Sequence, residues 1–407
     1  MNAFGLSWRY LWSRPLATTL NLLLLALGLA SMAFVLIARD QIDRAFERDL
    51  AGIDAVVGAK GSPMQLILAG VFHLDVPPGN IPLAEVQRLA QHPQVAQLIP
   101  LSLGDNLQGC RIVGTTPDYA AHYGAQLAQG ALWSTPMQAV LGAQVASRTG
   151  LQPGQTFEGA HGLGAGGATH GSTPYTVSGV LAPCGCVLDR LVLTATESVW
   201  QVHDDLHAGD GMDEAERREL AQALEDDREI TLALITYNTP MAAVSFPRFI
   251  NSTTSMQAAA PALEITRLLG MVGVGTQVLR AMAAALLVVA GLSVFIALWS
   301  AVRERRGDLA MLRMLGAPPA RVAALLMCEA LWLAALACVL GLLAAHGLAA
   351  LLGSLLMDSQ SLAVNGWQWV PGVAWVPVLA FGVAVVAALV PVVSAYRVDV
   401  SQLLNSR

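Results

Sequence analysis

The side chains in this sequence best suited to chemistry are histidines and cysteines. His161 and His170 flank a glycine-rich run at 159–171, Cys184 and Cys186 form a CxC pair, and His203 and His207 stand four residues apart, where one helix face would carry both. Imidazole and thiolate together suit zinc or copper, so His161, His170, Cys184 and Cys186 are candidate metal ligands. None of these spacings is a zinc signature, however. In an oxidising compartment the CxC thiols have a second reading, as a disulfide, with Cys110 as a further partner for one of them. Catalytic constellations are missing: there is no GxSxG and no HExxH, and Asp204-Asp205 and Glu225-Asp226-Asp227 read as solvated helix faces or caps. One count argues that this chain is not a P-loop ATPase by itself. Its single lysine, Lys60, lies in VVGAKGS, which lacks the glycine required by a GxxxxGK[ST] phosphate loop.

Two other groups of side chains ask for a role. Between two long apolar runs, residues 303–322 hold Arg303, Arg305, Arg306, Arg313 and Arg321 against Glu304 and Asp308. Leu309, Leu312 and Leu315 recur there at helical spacing, which predicts a short amphipathic helix with both charge signs, a surface for a soluble partner. Glu329 then falls inside the next apolar run. A carboxyl within a membrane helix is costly, and pairing with Arg321 or a neighbouring helix near the interface would offset that cost. His346, in the same run, reads as a packed or interface histidine.

The elements that position these groups follow from composition. Of 407 residues 55% are hydrophobic and only 13% charged, which places the chain in a membrane. Its net charge of -6 argues against a nucleic-acid partner. The sequence predicts an α-helical membrane protein with four transmembrane helices and an α/β (α+β) domain inserted between the first and second. In order these are an N-terminus at 1–15, spans at 16–38, 276–302, 322–353 and 373–395, the inserted domain with its stalk at 39–275, the charged loop at 303–321, a short loop at 354–372 and a tail at 396–407. Residues 16–38 carry no charge, long enough for a retained helix rather than a cleaved leader. The N-terminus, the 303–322 loop and the tail together hold nine arginines and three acids, while 354–372 has one acid and no base. The positive-inside rule therefore predicts both termini and the charged loop in the cytoplasm and the inserted domain outside, in a bacterial inner membrane. Within that domain, 83–91 and 215–228 read as helices, 111–113, 175–177, 190–193 and 230–237 as strands, and 64–74 as a core or membrane-edge helix.

That layout resembles the permeases of the MacB, LolC/LolE and FtsX superfamily of ABC transporters. RRGDLAMLRMLGA at 305–317 resembles the family's basic loop, RRREIAxLRALGA, with Asp308 in place of the usual Glu and Pro318-Pro319 departing from the pattern. IVGTTPDY at 112–119, VLG at 140–142, GLQPGQ at 150–155 and YTVSGVL at 175–181 resemble its outer-domain turns and strands. The resemblance implies a permease without catalysis of its own, paired with a second permease copy, a homodimer rather than a heterodimer. It implies a separate cytosolic ATPase that carries ATP and Mg and docks on Arg303, Glu304, Arg305, Arg306, Asp308 and Arg313. Work would be done outside on a lipoprotein, peptide, lipid or hydrophobic compound, with a periplasmic adaptor or substrate protein as further partner. A membrane-anchored metal- or protein-binding sensor or assembly factor is the alternative.

Overall fold

The computed structural model describes residues 3–162, 173–207, 228–304, 307, 311, 314, 317–357 and 365–396. Along the chain run α1 (Ala3–Leu11), α2 (Pro15–Leu50), β1 (Ala55–Ala59), α3 (Pro63–Gly70), β2 (Ile81–Pro82), α4 (Leu83–Ala90), β3 (Val95–Leu107), β4 (Cys110–Thr115), α5 (Pro117–His122), β5 (Leu127–Gly130) and β6 (Gln138–Leu141). There follow α6 (Ala143–Thr149), β7 (Thr156–Phe157), β8 (Ala160–His161), β9 (Tyr175–Leu181), β10 (Val192–Ala195), α7 (Thr196–His207), β11 (Glu229–Ile230), β12 (Leu232–Tyr237), α8 (Ala242–Thr253), β13 (Met256–Ala259), α9 (Pro261–Glu304), α10 (Pro319–Met357) and α11 (Trp375–Tyr396). Contacts divide the chain into a helical unit, Met1–Asp43 with Met271–Arg407, and an inserted unit, Arg44–Gly270.

Among the described residues four helices are long and apolar enough to cross a membrane. The charge-free part of α2 ends at Ala38; the helix continues through 39–50, where seven of twelve residues are charged, too many for a lipid-facing hydrocarbon segment. α9 is one helix of 44 residues. Small residues let the bundle close. A Cβ at Gly341 would sit 2.9 Å from the Ala26 carbonyl oxygen and 3.0 Å from Leu29 Cβ, so α2 and α10 cross with their backbones nearly touching. Ala290, Ala334, Ala337, Ala380 and Ala384 fill the same buried seam with Leu25, Leu29 and Val294. The start of the last span is pinned by side chains of the helices before it. Gln41 donates to the Asn365 carbonyl and accepts its N–H, both at 2.7 Å, and His346 Nδ1 lies 2.6 Å from the Gly366 carbonyl. His346 is thus a structural histidine.

The inserted unit is built on one twisted sheet in the order β13-β1-β12-β3-β4-β10-β6-β9-β5, with β7 on β9 and β8 on β3. The pairs β4/β10 and β6/β9 are parallel and the others antiparallel. Alternating apolar residues of β1 and β12 bury one set against α3 and the other against α4 and α8. The expected helix at 64–74 is helical only to Gly70, as α3, and takes the core alternative, with Leu66 and Ile67 fully buried. Other expectations are corrected. The expected strand at 190–193 begins only at Val192, because 187–190 is a 3-10 turn. The strand at 230–237 breaks at Thr231, whose hydroxyl accepts the Leu103 N–H at 2.9 Å in place of a ladder bond. The helix expected at 215–228 lies outside the described residues except at Arg228.

Candidate functional site

The helix ends flanking the charged loop are tied together. Arg14, just before α2, forms an ion pair with Glu304, the last residue of α9. Thr18 Oγ1 donates to the Leu11 carbonyl at 2.6 Å and fastens the break between α1 and α2. Ser293 Oγ lies 2.5 Å from Asn21 Oδ1, joining α2 to α9. α1 rests on α10 through aromatic rings: Phe4 and Trp8 have centroids 4.6 and 4.9 Å from Trp332. Val302, Val322, Leu326 and Ala395 form a buried cluster of their own where α9 ends, α10 starts and α11 ends. Above these ties lies a cavity of about 270 Å³ whose lining includes Arg14, Thr18, Asn21, Ser293 and Glu329. Glu329 is only 4% exposed, and the polar groups lining its cavity come from α1, the turn before α2, α2 and α9.

Of the expected docking residues, Arg303 and Glu304 close α9 and are exposed; Arg305, Arg306, Asp308 and Arg313 lie outside the described residues. Within that segment Gly307, Met311 and Met314 are helical and exposed, Met311 at 58% and Met314 at 57%. Their spacing puts them on one helix face. Leu309, Leu312 and Leu315, which carry the expected apolar stripe, lie outside the described residues; the sequence signal for the methionine face is two flexible apolar residues three apart among arginines.

The metal candidates come apart. Cys184 and Cys186 are bonded to each other, so as they stand they offer no thiolate. Cys110 is buried and free, which rules out its pairing with either; burial raises its thiol above the usual value, against the opposing effect of Arg148. His161 lies in β8 opposite Asp105 of β3, and His170 is outside the described residues. His203 and His207 both belong to α7. Among the described residues no three His, Cys, Asp or Glu side chains gather as a metal site.

Buried charge in the inserted unit gathers elsewhere, around the last turn of α2. Asp49 Oδ1 accepts the Val187 N–H at 2.9 Å, and Oδ2 lies 4.0 Å from Arg190. Burial outweighs that arginine and pushes the Asp49 carboxyl up to about 6. Tyr123 donates to the Asp49 carbonyl at 2.9 Å, and His73 Nε2 is 2.9 Å from the Tyr119 hydroxyl. His73 is 4% exposed at φ 52, a left-handed backbone, and burial followed by Arg111 and Arg190 holds its pKa well below 6.5. No part of this cluster was visible as a motif, since its members come from 49, 73, 119, 123 and 190.

Residues 18–228, more than half of the chain, match the family model of the MacB-like periplasmic core domain, and 280–400 match the FtsX-like permease C-terminal region. The chain belongs to the MacB/FtsX permease family of ABC transporters. Two solved structures are similar to it. The periplasmic region of MacB from Actinobacillus actinomycetemcomitans is 12% identical, with a TM-score of 0.34 over 54% of this chain and 95% of that one. The extracellular domain of the noncanonic ABC-type transporter YknZ from Gram-positive bacteria is 11% identical, with a TM-score of 0.30 over 51% of this chain and 98% of that one. No curated protein matches the chain. For a permease of this family a partner ATPase is implied.

Proposed function

We propose that this permease receives the stroke of a separate cytosolic ATPase at residues 303–316 and passes it through α9 and α10 to the inserted domain, which works on its cargo outside the inner membrane. ATP and Mg belong to the partner. Both termini and the loop face the cytoplasm on the arginine count, and two copies of the chain make the working pair. The cargo class is a lipoprotein, peptide, lipid or hydrophobic compound.

The observation that carries this reading is the exposed helical face of Gly307, Met311 and Met314, set between two helices that Val302, Val322 and Leu326 pack together. Methionine side chains are long, unbranched and polarizable, so they fill a partner's groove at small entropic cost, and the surrounding arginines would set the register against acidic residues. Interaction with the partner drives a change only if it differs between two states, which closure of an ATPase on nucleotide provides.

The test is reconstitution of the permease with its ATPase in nanodiscs. Changing Met311 and Met314 together to Gln should lower permease-stimulated ATP hydrolysis by about ten-fold or more, the loss of roughly 1.4 kcal/mol of contact, and Arg313→Glu should weaken co-purification. Unchanged stimulation and unchanged binding in both variants would refute the docking assignment.

A further inference from the structure

We propose that Cys184–Cys186 is a thiol–disulfide exchange site, read by a dithiol reductant, whose redox state sets how firmly the last turn of α2 is held. All the groups involved lie in the inserted unit, so the proposal stands apart from the coupling reading.

This disulfide is a poor staple. A cross-link gains by removing freedom from the unfolded chain, an effect that grows with the logarithm of the closed loop, and only one residue separates these cysteines. Its effect has to be local, and the local consequences are specific. The bond shapes a knuckle in which Gly185 takes φ 64, the left-handed region where glycine rests without strain. The Asp189 carboxylate fastens the knuckle from beneath, accepting the Cys184 N–H at 2.9 Å and the Gly185 N–H at 2.7 Å. The Gly185 carbonyl is thereby turned toward α2 and accepts from the Arg48 guanidinium. The next residue along α2, Asp49, takes the Val187 N–H, and Arg190 reaches from the same knuckle toward Asp49 while donating to the Phe72 carbonyl at 3.1 Å. Phe46, one turn back on α2, stacks edge-on to Phe72 at 4.9 Å. Residues 184–190 thus form a clasp on α2, and its outermost contact depends on the conformation that the disulfide holds. A Cβ at Gly185 would be strained at φ 64 and would come 2.6 Å from Arg48 Nη1, displacing that guanidinium.

Access favours one sulfur. Cys184 is half-buried beside exposed Gly185, whereas Cys186 is 8% exposed. An incoming thiolate attacks Cys184 Sγ; the Cys184–Cys186 bond breaks, and Cys186 leaves as a thiolate that takes up a proton. The second thiol of the reductant then attacks the mixed disulfide and releases Cys184, which is protonated in turn. Two electrons and two protons pass to the cysteine pair, and the dithiol ends as a disulfide. With the bond open, Gly185 is free to leave φ 64 and Arg48 loses its acceptor.

The experiment uses the full chain in detergent micelles with Cys110, Cys328 and Cys338 changed to Ala, so that only the pair reports. Dithiothreitol is the probe, thiol labelling read by mass spectrometry gives the redox state, and amide hydrogen exchange reads the clasp. Under native conditions dithiothreitol should expose both thiols and speed exchange at Cys184, Gly185 and Val187 by about ten-fold or more, with β10 unchanged. Cys184→Ser with Cys186→Ser should copy that pattern without reductant. So should Gly185→Ala with the disulfide intact, which separates the clasp from the redox step. Labelling that requires denaturant would overturn the exchange site. Reduction that leaves those amides as slow as before would overturn the clasp.

Discussion

Replacing His73 with Asn should reverse the way acid affects the inserted unit. Asn tolerates the left-handed backbone at φ 52, so the change acts on the imidazole rather than the chain. His73 Nδ1 is buried without a hydrogen-bond partner, Nε2 engages Tyr119, and Arg111 and Arg190 both oppose a charge on the ring. The folded ring therefore stays neutral at pH values where the unfolded chain takes up a proton, near 6.5. A base depressed by folding contributes stability that is present above its unfolded pKa and lost as pH falls below it. Between pH 7 and pH 5 that loss is about 2 kcal/mol, or roughly thirty-fold in the folded-to-unfolded ratio. Asp49 has the opposite sign. Its carboxyl, raised from 3.8 to about 6, makes the folded chain the better proton binder between those values, so stability is gained as pH falls through 6. Over the same interval that gain is about 1.3 kcal/mol. From these two groups the native chain has a net loss of about 0.7 kcal/mol on acidification, whereas His73→Asn has only the gain.

Pulse proteolysis of the full chain in urea, at pH 5, 6 and 7, measures this directly. The variant is expected to be less stable than the native chain at pH 7, by about 1–3 kcal/mol for the lost Tyr119 contact. The decisive quantity is the difference between the two pH profiles, because every other titrating group is common to both. Profiles that run parallel would refute the claim that His73 is held neutral by burial.

Three further outcomes follow from packing. Gly142→Ala places a Cβ onto the Leu188 and Asp189 carbonyl oxygens and should cost about 2–4 kcal/mol, seen as a lower urea midpoint in the same assay. Gly341→Leu forces α2 and α10 apart at their closest crossing and should destabilise the helical unit by about 1–3 kcal/mol, read from thermal unfolding in detergent. Cys110, buried and with its thiol raised, should react with iodoacetamide at pH 7.5 on the order of 100-fold more slowly in the native chain than in urea.

The four apolar helices were legible because a membrane asks one thing of a segment, a run of uncharged residues, and 16–38 meets it without reference to any other part of the chain. Strands such as β4 and β9 were legible for a similar reason, since β-branched residues in alternation need only a neighbour of some kind. What stayed hidden depends on partners far along the chain. Arg190 reads as part of a strand until Asp49 is seen beside it, and only then does its place in a buried turn make sense. The CxC pair carried two chemistries by sequence, thiolate ligands or a disulfide; the turn fixed by Asp189 and Gly185 is compatible with the disulfide. His73 gave no sign of its left-handed backbone or of Tyr119, because neither leaves a local pattern.

The proline pair after the charged loop departs from the family pattern, and the structure gives it a positive role. α10 begins at Pro319, at the first helical position, where proline loses no hydrogen bond and its fixed φ already suits the helix. Pro318 precedes it with the extended preference of any residue before proline, and its carbonyl accepts the Arg321 N–H at 2.9 Å. The chain thus enters α10 through two residues whose backbone has little freedom. On the other side of the loop α9 runs unbroken to Glu304, and Val302, Val322, Leu326 and Ala395 pack the two helices and α11 together at this level. A flexible junction would absorb a push on residues 303–316 in its own dihedrals. A stiff one would pass the displacement to α9 and α10, which is what the proposed coupling to a partner ATPase requires.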